Sequence, residues 1–227
     1  INNNIIIFPY TLTKNCINEI FDHKNKCTID YIHEDNSIGI VNGLWANYLG
    51  QGGILPIESL LIPSNNLMSI KATGSLEKVI KESIDVALSV AWNNITDDIK
   101  ESWIKKWKNN PESFHIHCPD GAVSKDGPSA GAAITLVIYS RLMNKQILNN
   151  IAMTGEMNLQ GKVTKIGGLE EKLLGAKKAG VQLVLIPEEN MEDLQKIRKR
   201  HNNLFTNNFK IKTINNFNEV LQYSLIN

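Results

Sequence analysis

Cysteine is scarce: Cys16, Cys27 and Cys118 are the only three among 227 residues, and no two stand in a CxxC spacing. An odd, unclustered set argues against a disulfide framework and a zinc ribbon, and it fits a reducing compartment. An excess of one charge is also missing, because 24 Lys and Arg face 23 Asp and Glu for a net +1. Nucleic acid and anionic membranes are therefore not indicated as partners by bulk electrostatics, and any partner has to be chosen by a site. Long apolar runs are absent too. The stretch AGAAITLVIY at 130–139 is the longest, far short of the roughly 20 residues that span a bilayer. No basic region precedes an apolar stretch in the opening INNNIIIFPYTL, so no targeting segment is expected there. Asparagine is abundant instead, at 28 residues, with NN pairs falling between candidate elements.

The order of patterns along the chain predicts a mixed α/β fold. Residues 1–37 combine short apolar pieces with Asn, Lys and Asp and read as a connector or the tail of a preceding domain, with one short helix at TLTKNCINEIF. SIGIVNGLWANYLG, GGILPIESLLIPS and NLMSIKATG, separated by Gly, Pro and NN, predict three strands of a meander. SLEKVIKESIDVALSVAW repeats apolar residues at helical spacing behind Ser75, a suitable cap. The Trp-containing NNITDDIKESWIKKWKNNPESF is polar and charged, and it reads as a surface helix and loop.

FHIHCPDG predicts a strand. DGPSAGAAITLVIYSRL predicts a helix capped by Asp126 or Gly127 with Pro128 in its first turn, apolar all round and hence buried. NIAMTGEMNL and KVTKI predict a hairpin around Gln160-Gly161. A helix from Gly168, the strand QLVLIP, a helix near ENMEDLQKIRKR, the strand FKIKTI and a last helix NFNEVLQYSLI complete an alternation of strands and helices.

One lysine in that series is misplaced. At 100° per residue, LEEKLLGAKKA sets Leu169, Lys172, Leu173, Ala176 and Ala179 in one stripe, while Glu170, Glu171, Lys177 and Lys178 take the opposite arc. A lysine on an apolar face either snorkels its ammonium to water or loses hydration. In the second case its pKa falls from about 10.4 toward neutrality, and the neutral amine becomes a general base. Such a base needs a nucleophile. Ser129 sits in the first turn of the buried helix among Gly127, Ala130, Gly131, Ala132 and Ala133, where helix-start amides favour an anion.

Other readings compete. Ser129 beside small residues also suits plain close packing, or a phosphate cradle, although neither GxxxxGK[ST] nor a strand followed by GxGxxG occurs. His115 and His117 share one face of a strand and could begin a metal site, but no third ligand follows at diagnostic spacing, so no metal is expected. A triad of Ser129, His117 and Asp126 is a further option. It leaves Lys172 unexplained.

The longer motifs go beyond this residue-level reading. VNGLW near residue 41, TGSLEKVIKESI from Thr73, HIHCPDGAVSKDGPSAG from His115 and IAMTGEMNLQGKVTKIGGLEEKLLGAKKAGVQLVLIPEEN from Ile151 resemble the proteolytic domain of Lon, the ATP-dependent serine protease with a Ser-Lys dyad. The resemblance covers roughly residues 38–225. It implies that Ser129 in KDGPSAG is the nucleophile, Lys172 in GGLEEK the general base, and Thr154 in AMTGE a residue that helps hold the amine. Asp126, His115, His117 and Glu58 fall at positions associated with the site in some members.

It further implies a domain over 38–227 and unfolded or damaged polypeptides as substrates. A homo-hexameric ring, and a preceding AAA+ module that alone would bind ATP and Mg, belong to the same expectation. No cofactor is expected here. The compartment implied is the mitochondrial matrix, toward which the Asn-rich loops lean, or else bacterial cytoplasm. A non-catalytic ring-assembly module of the same fold is the alternative. Departures from the family pattern are WANYLGQGG in place of a shorter run, HCPDG for the usual HVPEG, and an insert at 93–112.

Overall fold

The computed structural model describes residue 13 and residues 31–66, 68–119 and 126–226; apart from Thr13, the helix expected at TLTKNCINEIF lies outside the described residues. Seven strands form a mixed sheet: β1 (Ile40–Ala46), β2 (Gly52–Pro63), β3 (Ile70–Thr73), β4 (Glu112–His117), β5 (Ile151–Met153), β8 (Leu183–Pro187) and β9 (Lys210–Ile214), in the order β3-β4-β2-β1-β5-β8-β9. Two more, β6 (Glu156–Met157) and β7 (Val163–Thr164), make a separate antiparallel ribbon. The helices are α1 (Lys78–Asn93), α2 (Asp97–Asn109), α3 (Gly131–Met143), α4 (Leu169–Lys178), α5 (Met191–Arg200) and α6 (Phe217–Ser224). The α/β class expected from the alternation is the one observed.

β1 and β2 form the expected antiparallel hairpin, with Ile40 opposite Glu58 and Ala46 opposite Gly52. The meander ends there. β3 does not lie beside β2, because β4 enters between them, antiparallel to β2 and parallel to β3. Burial explains the exchange: Phe114 and Ile116 of β4 are fully buried and need sheet on both sides, whereas half-buried β3 tolerates an edge. In the second half β5, β8 and β9 run parallel, joined through α4 and α5 as crossover connections require.

Each sheet face buries its own helices. Val41, Ile57, Phe114 and Ile116 pack with Ile80 and Ile84 of α1, Leu136 and Ile138 of α3 and Phe217 of α6. Leu44, Ile54 and Ala152 pack on the other face with Leu169, Leu173 and Ala176 of α4 and Ile197 of α5. α3 is buried on every side from Gly131 to Ser140, as its composition predicts. The Trp-containing segment is a helix with a charged exposed face, yet it is not only surface, since Trp107 enters the core against Trp92 and Trp103.

Two local expectations change. The NIAMTGEMNL run is not one strand: it leaves the main sheet after Met153 and re-forms as β6 at Glu156, so Thr154 and Gly155 form a corner. The hairpin beyond it, closed by Asn158 and Gly161, is as expected. At α1, the cap position is Glu77 rather than Ser75, whose φ is +53°. The first turn is instead capped from a distance, with Asp126 Oδ1 accepting from the amides of Val79 at 3.0 Å and Ile80 at 3.3 Å.

Candidate active site

The stripe on α4 places Lys172 inside. Gly168, in the left-handed conformation at φ +65°, turns the chain into the helix. The loop before it is clamped by a fully buried amide: Asn190 accepts from Ile166 N at 3.0 Å, donates to Ile166 O at 2.9 Å and donates to Asp193 Oδ2. Glu189 adds Lys165 N and the Lys162 ammonium. α4 then meets β2 with no side chain between them, because a Cβ on Gly52 would stand 2.2 Å from Glu171 O and one on Gly175 would stand 2.4 Å from the Gly52 backbone. The lysine side chain is carried on a helix fixed at both its start and its middle.

Lys172 is 4% exposed, and among the described residues no carboxylate pairs with it. Desolvation by burial lowers its pKa to about 8. At pH 7 about one lysine in ten is then neutral. Its Nζ lies 3.0 Å from Ser129 Oγ and 3.1 Å from Thr154 Oγ1.

Ser129 lies in a single helical turn, Pro128–Ala130, that runs into α3, with Gly127 at its cap position. The corner after β5 holds this turn. Thr154 Oγ1 donates to Ser129 O at 3.2 Å, and Gly155 N donates to the same oxygen at 2.8 Å. Gly155 O in turn accepts from Ala132 N at 3.0 Å. Because the one hydrogen of Thr154 Oγ1 goes to Ser129 O, its lone pair faces Lys172 and accepts an amine N–H. A neutral amine held that way keeps its own lone pair for the Ser129 hydroxyl.

The remaining candidates go elsewhere. Asp126 is exposed and occupied with the α1 amides, which ties the segment leading to Ser129 onto that helix. His117 Nδ1 and His115 Nε2 both meet Thr73 Oγ1, at 2.8 and 3.0 Å, so the two imidazoles share one face as predicted but turn toward β3. Glu58 stands opposite His117 in register. A Ser129-His117-Asp126 triad does not form, since each member has a different partner. Among the described residues no group of three His, Cys, Asp or Glu could hold a metal ion.

The residue patterns did not single out Asn190, Gly155, or the glycines at 52 and 175. Glu189 and Asn190 read as the start of the helix near ENMEDLQKIRKR, and the only signal for the glycines is their recurrence where α4 must approach β2.

Comparison with known proteins places the chain in a family. The model of the Lon protease (S16) C-terminal proteolytic domain matches residues 11–227. The chain belongs to that family. A Lon protease homolog of Acanthamoeba polyphaga mimivirus is 40% identical over 215 residues, covering 92% of this chain and 20% of that protein. The Lon protease of Methanosphaera stadtmanae is 39% identical over 189 residues, 83% of this chain and 22% of its own length. That of Campylobacter jejuni is 39% identical over 222 residues, 94% and 27%. The chain thus spans about a fifth to a quarter of the relatives it matches, in a family of serine peptidases.

Proposed function

We propose that this domain is the peptide-bond-hydrolysing part of a larger ATP-dependent Lon-type protease, with Ser129 as nucleophile and Lys172 as general base. The observation that carries the reading is the 3.0 Å approach of a desolvated, carboxylate-free amine to a hydroxyl at a helix start. In the first step neutral Lys172 takes the Ser129 proton as Oγ bonds to the scissile carbonyl carbon, and the carbonyl π pair moves onto oxygen. The N–H groups of Ser129 and Ala130, the first available in the turn because Pro128 has none, meet the resulting oxyanion. Collapse breaks the C–N bond, the Lys172 ammonium returns its proton to the leaving amine, and a Ser129 ester remains. Water, deprotonated by the same amine, then hydrolyses the ester.

Thr154 orients the amine throughout. The substrates proposed are unfolded polypeptides delivered by an AAA+ module elsewhere in the full-length chain, which is where ATP and Mg would bind. Assembly as a homo-hexamer is part of the proposal. The proposed compartment is the mitochondrial matrix, with bacterial cytoplasm as the alternative; Cys118, buried and in no disulfide, suits either. Peptide hydrolysis by the full-length protein beside Ser129→Ala and Lys172→Ala, with folding checked by circular dichroism, tests the reading. A fluorophosphonate probe labelling Ser129 in the wild type and not in Lys172→Ala supports it. Undiminished hydrolysis by either variant overturns it.

A further inference from the structure

The connection between β1 and β2 is a firmly built loop with an apolar crown. Asn47 Oδ1 accepts from the amides of Leu49 and Gln51, both at 3.0 Å, while Asn47 Nδ2 donates to Gln51 Oε1 at 2.9 Å. Backbone bonds Asn47 N to Gln51 O and Gly50 N to Asn47 O close the frame. Trp45 braces the stem through Nε1 to Ile54 O. On this frame Tyr48 is 96% exposed and Leu49 is 68% exposed. Large apolar side chains held rigidly in water bring no stability to the domain, and such a pair marks a contact surface.

Its place in the fold says what it contacts. β1 and β5 are parallel with Gly43 level with Met153, the residue before Thr154. β1 runs on three residues to Ala46, so the tip rises about 10 Å past the end of β5, over the end of the sheet where Thr154, Ser129 and Lys172 meet. Gly52, opposite Ala46 in the last pair below the loop, touches the backbone of Glu171 and Lys172. Tip and amine therefore belong to one rigid unit. Two side chains offer much too little area for a stable contact between copies, which needs roughly 800 Å² on each partner. An extended chain presenting apolar side chains one after another needs no more than such a grip, and the absence of charge from Asn47 to Gln51 makes the grip indifferent to the charge of what passes.

We propose that Tyr48 and Leu49 form a docking point for apolar side chains of the unfolded polypeptide whose backbone is cut at Ser129. The inference rests on the proteolytic reading above and adds to it a preference for long, apolar-rich substrates over short ones. The test uses the full-length protein with ATP, β-casein as the unfolded substrate, and a tripeptidyl aminocoumarin, which offers only about 10 Å of extended chain and few apolar side chains to grip.

In Tyr48→Ser/Leu49→Ser the casein-to-tripeptide ratio of kcat/KM should fall five- to tenfold, mainly through the KM for casein. Tyr48→Phe/Leu49→Met should restore the ratio, and Ile104→Ser, an exposed apolar residue on α2, should leave it unchanged. An unaltered ratio in the double serine variant, when the wild type cleaves both substrates, overturns the docking point alone. Equal loss on both substrates with a change in oligomer size also overturns it, in favour of contact between copies. A wild type that cleaves neither substrate overturns the proteolytic reading itself.

Discussion

Thr73 and Thr154 each hold two neighbours with one hydroxyl, and the surroundings make the two clusters chemically different. Thr73 joins His115 and His117 on a half-buried sheet face, at 3.0 and 2.8 Å. Thr154, fully buried, joins Lys172 Nζ at 3.1 Å and Ser129 O at 3.2 Å. Imidazole is the side chain most often used for acid–base work. The amine has the better environment, because removal of water brings it down into the working range and the same removal strengthens each hydrogen bond that aims it. Residue type alone would favour the histidines; depth favours the lysine.

The comparison breaks most sharply on activity. Ser129→Ala and Lys172→Ala should each lower kcat by at least about a thousandfold, whereas His117→Ala should cost no more than tenfold; a thousandfold loss in His117→Ala would reverse the assignment. Next in size, Thr154→Val should lower kcat by roughly 10- to 100-fold, less than the roughly 100- to 10,000-fold of a whole general base because the amine itself remains, with Thr154→Ser restoring most of it. A steady-state series on one peptide measures both.

The pH dependence follows from the direction of the lysine shift. Because the folded state holds Lys172 at about 8 instead of 10.5, kcat should climb about tenfold per pH unit from 6 to 7 and level off above 8. Between those two pKa values the unfolded chain binds a proton that the folded chain does not, so stability rises with pH across this window. In full the gain is on the order of 3 kcal/mol. Urea unfolding at pH 7.5 and pH 10 should show a rise in the wild type that Lys172→Met lacks, and at pH 7.5 the Met variant should be the more stable protein. Smallest of all, Thr73→Val should change unfolding free energy by under about 1 kcal/mol, because water can replace a hydroxyl on an accessible face; a calorimetric loss above 2 kcal/mol would make that cluster structural.

Much of this contrast was legible from spacing. Lys172 declared itself because an α-helix returns to the same face every three to four residues, and its neighbours at 169, 173 and 176 are apolar. His115 and His117 declared their common face by the period of two. Thr154 did not: in the residue patterns it sits inside what reads as one strand, and only the resemblance pointed to it. The break after Met153 depends on β8 and the Pro128–Ala130 turn closing around the corner, through Thr154 N to Leu185 O and Gly155 N to Ser129 O. Asp126 shows the same limit, since its helix preference is local but the amides it serves are 46 and 47 residues away. Insertion of β4 beside β2 was equally hidden, because pairing partners distant in sequence leave no periodic trace.

The contact of Gly52 with Glu171 and Gly175 sets a tolerance for the whole site. An alanine at either glycine would need about 1 Å of separation before its new carbon reached ordinary contact distance, whereas proton transfer from Ser129 requires placement within about 0.5 Å. Helix and strand are therefore machined to a finer clearance than the smallest side chain. Drift at these two positions would disarm the domain while leaving it folded.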